Sequence, residues 1–231
     1  MSRSQALVFG GTGTVGREVL KGLAAAGIPT VFTWHRAEER AHALARAHGQ
    51  RPVQADLADP KAARAVARES EADIFIHCAS VAPTGAAAAT TDDVWQGAQA
   101  VNVHSAFAAC QELAPAMARR GEGHVVFVGA LDRTQSLPLP VVFAATQGML
   151  SAMAMALAKE LAPQVLVNMV ALGPLDAGLS GRLDPALLDD YKAMSALRRL
   201  GRPEEAAQAI LWLALENTYM TGRVLAVNGG V

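Results

Sequence analysis

The sequence predicts an α/β protein in which helices cover both faces of one doubly wound, parallel sheet of seven strands. β-rich runs alternate with Ala-rich helical stretches from end to end, the pattern of parallel strands joined by crossover helices. A glycine-rich turn joins the first strand to the first helix. No internal repeat, low-complexity tract or linker interrupts the 231 residues, so 1–231 is expected to be a single domain.

The elements follow in order. Residues 6–9 are an apolar run that enters the turn at Gly10, read as a buried strand rather than a secretory leader. The first helix is expected at 16–26, with Gly27 as its cap, and the second strand at 30–34. A helix at 37–48 closes on Gly49, a short strand follows at 53–55, and Pro60 opens a helix over 60–69. The fourth strand is 74–77, followed by one long helix over 92–119 and a strand at 124–128. A second long helix covers 142–161 before a strand at 165–170. Residues 173–197 form the least regular stretch, expected as a long loop and natural lid beyond the carboxyl end of a strand. Pro203 with Glu204 and Glu205 starts a helix over 203–215, and 224–227 is the last strand.

Composition narrows the function. Apolar residues make up 52% and aromatic ones only 5%, a core of Ala, Val and Leu that suits helices lying close on a sheet. Twenty basic against 21 acidic residues leave a net charge of −1, which gives no electrostatic pull toward nucleic acid or an anionic membrane. No uninterrupted apolar run reaches membrane-spanning length, so neither partner is expected. Cys78 and Cys110 are too few and isolated for a disulfide framework or a metal site and are expected as free thiols. A cytoplasmic location is the expectation.

The turn is the first chemical motif. Gly10, Gly13 and Gly16, with Thr12, Thr14 and Val15 between them, lie where a strand gives way to a helix. Glycines there let the backbone approach a pyrophosphate, which then meets the helix N-terminal amides. After the second strand come His35 and Arg36, with no carboxylate before Glu38. A carboxylate there would bind a ribose hydroxyl and an Arg accommodates a 2′-phosphate, so NADP(H) is the expected cofactor.

With these residues in view, the chain resembles the short-chain dehydrogenase/reductase family, a Rossmann-type fold, over essentially its whole length. Asp56 matches the acid that contacts adenine in that family, and Asn102 the helix-borne catalytic asparagine. The tail from Arg199 through Ala206, then Tyr219 to Gly230, is similar to bacterial β-ketoacyl carrier-protein reductases. The resemblance also implies cofactor contacts from Leu57, Ala79, Gly173 and Leu175.

The departures fall on the chemistry. The family's Asn-Asn-Ala-Gly reads His77-Cys78-Ala79-Ser80, and the middle glycine of its turn falls at Thr14. Its serine aligns with Ala130, and its tyrosine and lysine with Phe143 and Gln147. The resemblance gives that tyrosine the proton transfer, the lysine the tuning of its pKa and the ribose contact, and the serine the carbonyl oxygen. Phe143 has no exchangeable proton, Gln147 keeps a hydrogen-bonding amide for a ribose but no charge, and Ala130 offers nothing polar. Ordinary carbonyl reduction is therefore expected to be absent or very slow.

Asp132, Arg133, Thr134 and Gln135 are candidate replacement groups beyond the fifth strand; His104 is expected to pack or to line an interface, and His77 with Cys78 to form a core pair. Three functions remain open. The chain is a supporting subunit of a β-ketoacyl reductase acting on carrier-linked acyl groups, as a homo-oligomer or joined to an active paralogue. Alternatively it is an enzyme of reassigned chemistry, such as cyclisation or dehydration, or a nucleotide-responsive regulator.

Overall fold

A computed structural model describes residues 4–130 and 139–231. Seven parallel strands form one sheet in the order β3-β2-β1-β4-β5-β6-β7. They are β1 (Ala6–Phe9), β2 (Thr30–Trp34), β3 (Arg51–Gln54), β4 (Ile74–His77), β5 (Gly123–Gly129), β6 (Val165–Leu172) and β7 (Val224–Val227). β1, β2 and β4 are buried along their whole length, as expected of strands covered on both faces. The order reverses between β1 and β4, which opens the crevice where ligands of such sheets bind.

Alternation along the strands divides the core in two. Phe9, Phe75 and Phe127 face α3 (Pro60–Ser70), α5 (Ser105–Arg120) and α6 (Val141–Leu161), with Leu113, Met117 and Leu150 filling that layer. Val8, Phe32 and Ile76 face α1 (Thr14–Ala25) and α8 (Pro203–Leu215), meeting Val19, Leu23, Ile210 and Leu213. Ala41 of α2 (Glu38–His48) joins the same layer. Helix α6 is long and apolar enough to cross a membrane, yet it lays Phe143, Leu150, Ala154 and Ala158 against the protein interior.

Four expectations are corrected. The third strand is Arg51–Gln54, not 53–55; Ala55 still donates its N–H to the Trp34 carbonyl at 2.9 Å but lies past the strand. The first helix ends one residue earlier than expected. Ala26 is its cap, and Gly27 follows at φ +70°, where the Ile28 N–H reaches back to the Leu23 carbonyl at 2.9 Å. The long helix over 92–119 is two helices, α4 (Asp92–Gln99) and α5, joined by a wide π turn at Ala100–His104. The stretch 173–197 is not all loop. It carries a 3-10 turn at Ser180–Arg182 and α7 (Pro185–Met194), whose first turn is closed by the Asp184 carboxylate accepting from the Ala186 N–H at 2.8 Å.

Candidate dinucleotide site and the adjoining polar cluster

The glycine turn is built by close approach. Gly10 holds φ +76°, and a Cβ there would stand 2.8 Å from the Ala79 backbone; one on Gly16 would stand 2.3 Å from the Gly10 carbonyl oxygen. Only glycine lets β1, β4 and α1 converge so tightly. The Gly10 N–H donates to Thr33 Oγ1 at 3.0 Å, and the Gly13 N–H to the Gly10 carbonyl at 3.0 Å. Helix α1 then begins on Gly13 with no side-chain cap and no acid in its first turn. Its first amides and the positive end of its dipole are left for an anion.

Around this turn the structure gathers several of the expected residues. His35 and Arg36 lie exposed just past β2, and His35 Nε2 is 3.9 Å from Asp56 Oδ2. Asp56 also accepts the Ala58 N–H at 3.0 Å. Ala79 abuts Gly10, as above, while Gly178 beyond β6 meets Thr14: a Cβ on Gly178 would be 2.9 Å from Thr14 Oγ1. The side chains of Leu57 and Leu175 are largely buried. Gly173 lies against Asn228. Two buried atoms in this neighbourhood, Arg17 Nε and Ser80 Oγ, have no hydrogen-bond partner among the described residues, which is costly unless something else supplies one.

A second cluster sits beside the first, joined through the end of β4. Asn102, fully buried on the π turn, accepts the Val81 N–H at 2.7 Å and donates to the Val81 carbonyl at 2.8 Å and to Thr146 Oγ1 at 3.0 Å. Thr146 donates in turn to the Phe143 carbonyl at 2.8 Å. Gln147 donates to Thr146 Oγ1 at 3.3 Å and accepts the Ala130 N–H at 3.2 Å. Asn102, Ala130, Phe143 and Gln147 are thus brought together, with Phe143 and Gln147 buried. Both amide protons of Asn102 and the hydroxyl proton of Thr146 are committed within the cluster.

His77 does not pair with Cys78. The two face opposite layers of the sheet: His77 lies edge-on to Phe9 and Phe75, while Cys78 packs with the α1–α8 layer. His77 Nε2 is 2.9 Å from Ser105 Oγ, whose proton goes to the Val101 carbonyl at 2.7 Å. The hydroxyl can therefore only accept, which assigns the proton to Nε2 and leaves Nδ1 bare and unpartnered. Burial pushes the His77 pKa down to about 4 and the Cys78 and Cys110 thiols up to about 12. Both cysteines are free and not nucleophilic near neutrality. His104 is exposed. Asp132, Arg133, Thr134 and Gln135 lie outside the described residues.

Sequence reasoning missed Thr146, the node of the second cluster, although a threonine three residues after Phe143 on a helix is placed to bond back to that carbonyl. It also missed Ser105 and Gly178, for which no local signal exists.

Comparison with known proteins agrees with this architecture. The family described as enoyl-(acyl carrier protein) reductase matches residues 11–231. The galactitol 2-dehydrogenase (L-tagatose-forming) of Cereibacter sphaeroides is 33% identical over 97% of this chain and 93% of its own. The 3-oxoacyl-acyl-carrier-protein reductase FabG of Aquifex aeolicus is 30% identical over 97% and 96%. Among solved structures, BdcA in complex with NADPH superposes with a TM-score of 0.90 at 26% identity, covering 98% of this chain and 93% of that one.

Proposed function

The chain belongs to the short-chain dehydrogenase/reductase family, and we propose that it keeps the family's cradle for NADP(H) but lacks the proton donor for carbonyl reduction. In this reading it is a non-catalytic or supporting subunit of a β-ketoacyl reductase acting on carrier-protein-linked acyl groups, in a fatty-acid-like or polyketide-like pathway. It assembles as a homo-oligomer or with an active paralogue.

The cradle half rests on fit. The uncapped start of α1 suits a pyrophosphate, and His35 with Arg36, exposed past β2, suits a 2′-phosphate. Ser80 and Arg17 each hold a buried polar atom that lacks a partner among the described residues. When bound, NADPH would supply a hydride. The solved NADPH complex of BdcA adds weight by likeness.

The loss of chemistry rests on one observation among the described residues, the cluster that Asn102, Thr146, Gln147 and the Ala130 amide form with one another. Phe143 brings no proton to it, and Gln147 turns its carbonyl onto the end of β5 rather than outward. A positioned general acid is worth about 10²–10⁴-fold in rate, so a site without one should be slower by at least that order.

The test is direct. Purified protein is titrated with NADPH and NADH by calorimetry, then given a β-ketoacyl thioester. Saturable binding that favours NADPH, with no oxidation of it on adding thioester, is expected. Steady turnover would overturn the loss of chemistry, and absence of NADPH binding would overturn the cradle.

A further inference from the structure

Away from the glycine turn, a second concave surface lies between the base of the 173–197 segment, the start of α8 and the end of β7. Its inner part is a hollow of about 170 Å³ walled by Leu175, Leu197, Ala206 and Val227. Its outer part is an open cleft of about 460 Å³ walled by Lys192, Arg198 and Asp176. Arg199 and Arg202 line both, so the two spaces adjoin. Gly173 and Leu175 belong to the inner wall, and Gly173 lies against Asn228 there.

The charges there are unequally matched. Arg199 is held by both Glu205 oxygens at 2.6 and 2.8 Å, and Lys192 by Asp189 at 2.7 Å. The Arg202 guanidinium reaches Glu205 only at 3.5 Å, on a carboxylate already committed to Arg199 and to the Arg202 N–H. Arg198 donates to a backbone carbonyl, that of Ala193, which does not neutralise it. Arg198 is also held at φ +56°, a left-handed conformation that costs an ordinary side chain energy. Among the described residues, two arginines thus face an open cleft without a carboxylate committed to them alone, and Asp176 is the one acid in its wall.

We infer that the hollow and the cleft form one binding site for a small amphipathic anion, with a short acyl or aryl body against Leu175, Leu197, Ala206 and Val227 and a carboxylate or phosphate head between Arg198 and Arg202. The planar guanidinium matches both head groups in a bidentate way. The inner volume equals roughly six water-sized groups, which sets the body at about four to six carbons. Occupancy braces the 173–197 segment. Leu197 and Ser195 are tied to the Gly229 carbonyl at 3.2 and 3.1 Å, and Leu175 to Ser180 Oγ at 3.2 Å, so a ligand wedged among them holds the 173–197 segment against the sheet.

The site needs no dinucleotide, so its test stands apart from that of the cradle. Hexanoate, hexyl phosphate, inorganic phosphate and hexylammonium are titrated into the full chain by ligand-observed NMR, with the doubly substituted Arg198→Asn, Arg202→Gln protein alongside. Asn is chosen at 198 because it tolerates a left-handed backbone, and unchanged melting verifies that the variant folds. Hexanoate or hexyl phosphate is expected to saturate at roughly millimolar concentration, the tighter of the two identifying the head group. The variant should bind it about tenfold or more weakly. The inference is overturned if neither hexyl anion binds, if hexylammonium binds as well, if inorganic phosphate matches hexyl phosphate, or if the variant binds like the parent chain.

Discussion

Replacing one residue can test the fold and the site separately. His77 is wholly buried, bonded to Ser105, and neutral down to a pKa of about 4. In the unfolded chain its value returns to about 6.5. Above that pH both states are neutral and the contribution is complete; as pH falls through 6.5 only the unfolded chain takes up the proton, and the loss is finished near 4. The stability at stake is about 3 kcal/mol over that window. Urea titrations at pH 7, 5.5 and 4 should therefore show the parent chain losing more stability on acidification than His77→Asn; parallel losses would contradict a neutral buried imidazole. Gly16 tests the turn instead. A Cβ 2.3 Å from the Gly10 carbonyl must push the turn apart, so Gly16→Ala should cost about 1–3 kcal/mol. A melting point lowered by about 2–4 °C per kcal/mol would register it, together with loss of any NADPH binding. A variant that melts and binds like the parent would show the turn to be less tight than the structure has it.

Among the elements, α6 carries most of the second cluster, and its sequence shows why some features were legible and others not. The apolar run over 142–161 announces a buried helix by length alone, and Phe143 and Gln147 stand out because a family pattern gives those positions a role. Thr146 has no such pattern, and its importance comes from Asn102, which lies 44 residues away in sequence. The same contrast holds elsewhere. Strands β1, β2, β4 and β7 are read from their apolar runs with the observed boundaries, whereas β3, an edge strand with no fully buried residue, offers little periodicity. The π turn that splits α4 from α5 leaves the helical spacing of apolar residues almost unchanged, so only coordinates reveal it. Helix α7 did have a signal, Asp184 followed by Pro185, outweighed by the irregular sequence around it. For the cluster the expected outcome is specific. Thr146→Val leaves one Asn102 N–H and the Gln147 amide short of an acceptor, at a cost of about 1–3 kcal/mol in chemical denaturation. Rebuilding the family's groups as Ala130→Ser, Phe143→Tyr and Gln147→Lys should give measurable β-ketoacyl thioester reduction only in the triple variant, since groups that act as a unit do not contribute singly. Activity in Phe143→Tyr alone would show that the rest of the cluster is not closed to proton transfer.

At the scale of the whole molecule, the apolar surface left uncovered bears on assembly. The α4–α6 layer leaves Val94, Phe107, Val141 and Met149 between 41% and 55% exposed, in a chain whose large side chains are few. At one end of the sheet, β7 (Val224–Val227) presents an edge that is unpaired among the described residues, without a proline or a charge on it. An apolar strand edge invites pairing unless something covers it, and exposed apolar side chains spread over adjoining helices are the usual material of an interface. Light scattering at micromolar concentration should therefore give a multiple of the 24.1 kDa chain mass. Phe107→Glu with Met149→Glu should return it to a single chain with its circular dichroism intact, because both side chains lie on the helical surface and neither is among the residues buried in the core. A parent chain that stays monomeric at tens of micromolar would remove the homo-oligomer and leave the mixed assembly. In that case an active reductase co-expressed with this chain should co-purify with it, and the same two glutamates should release it.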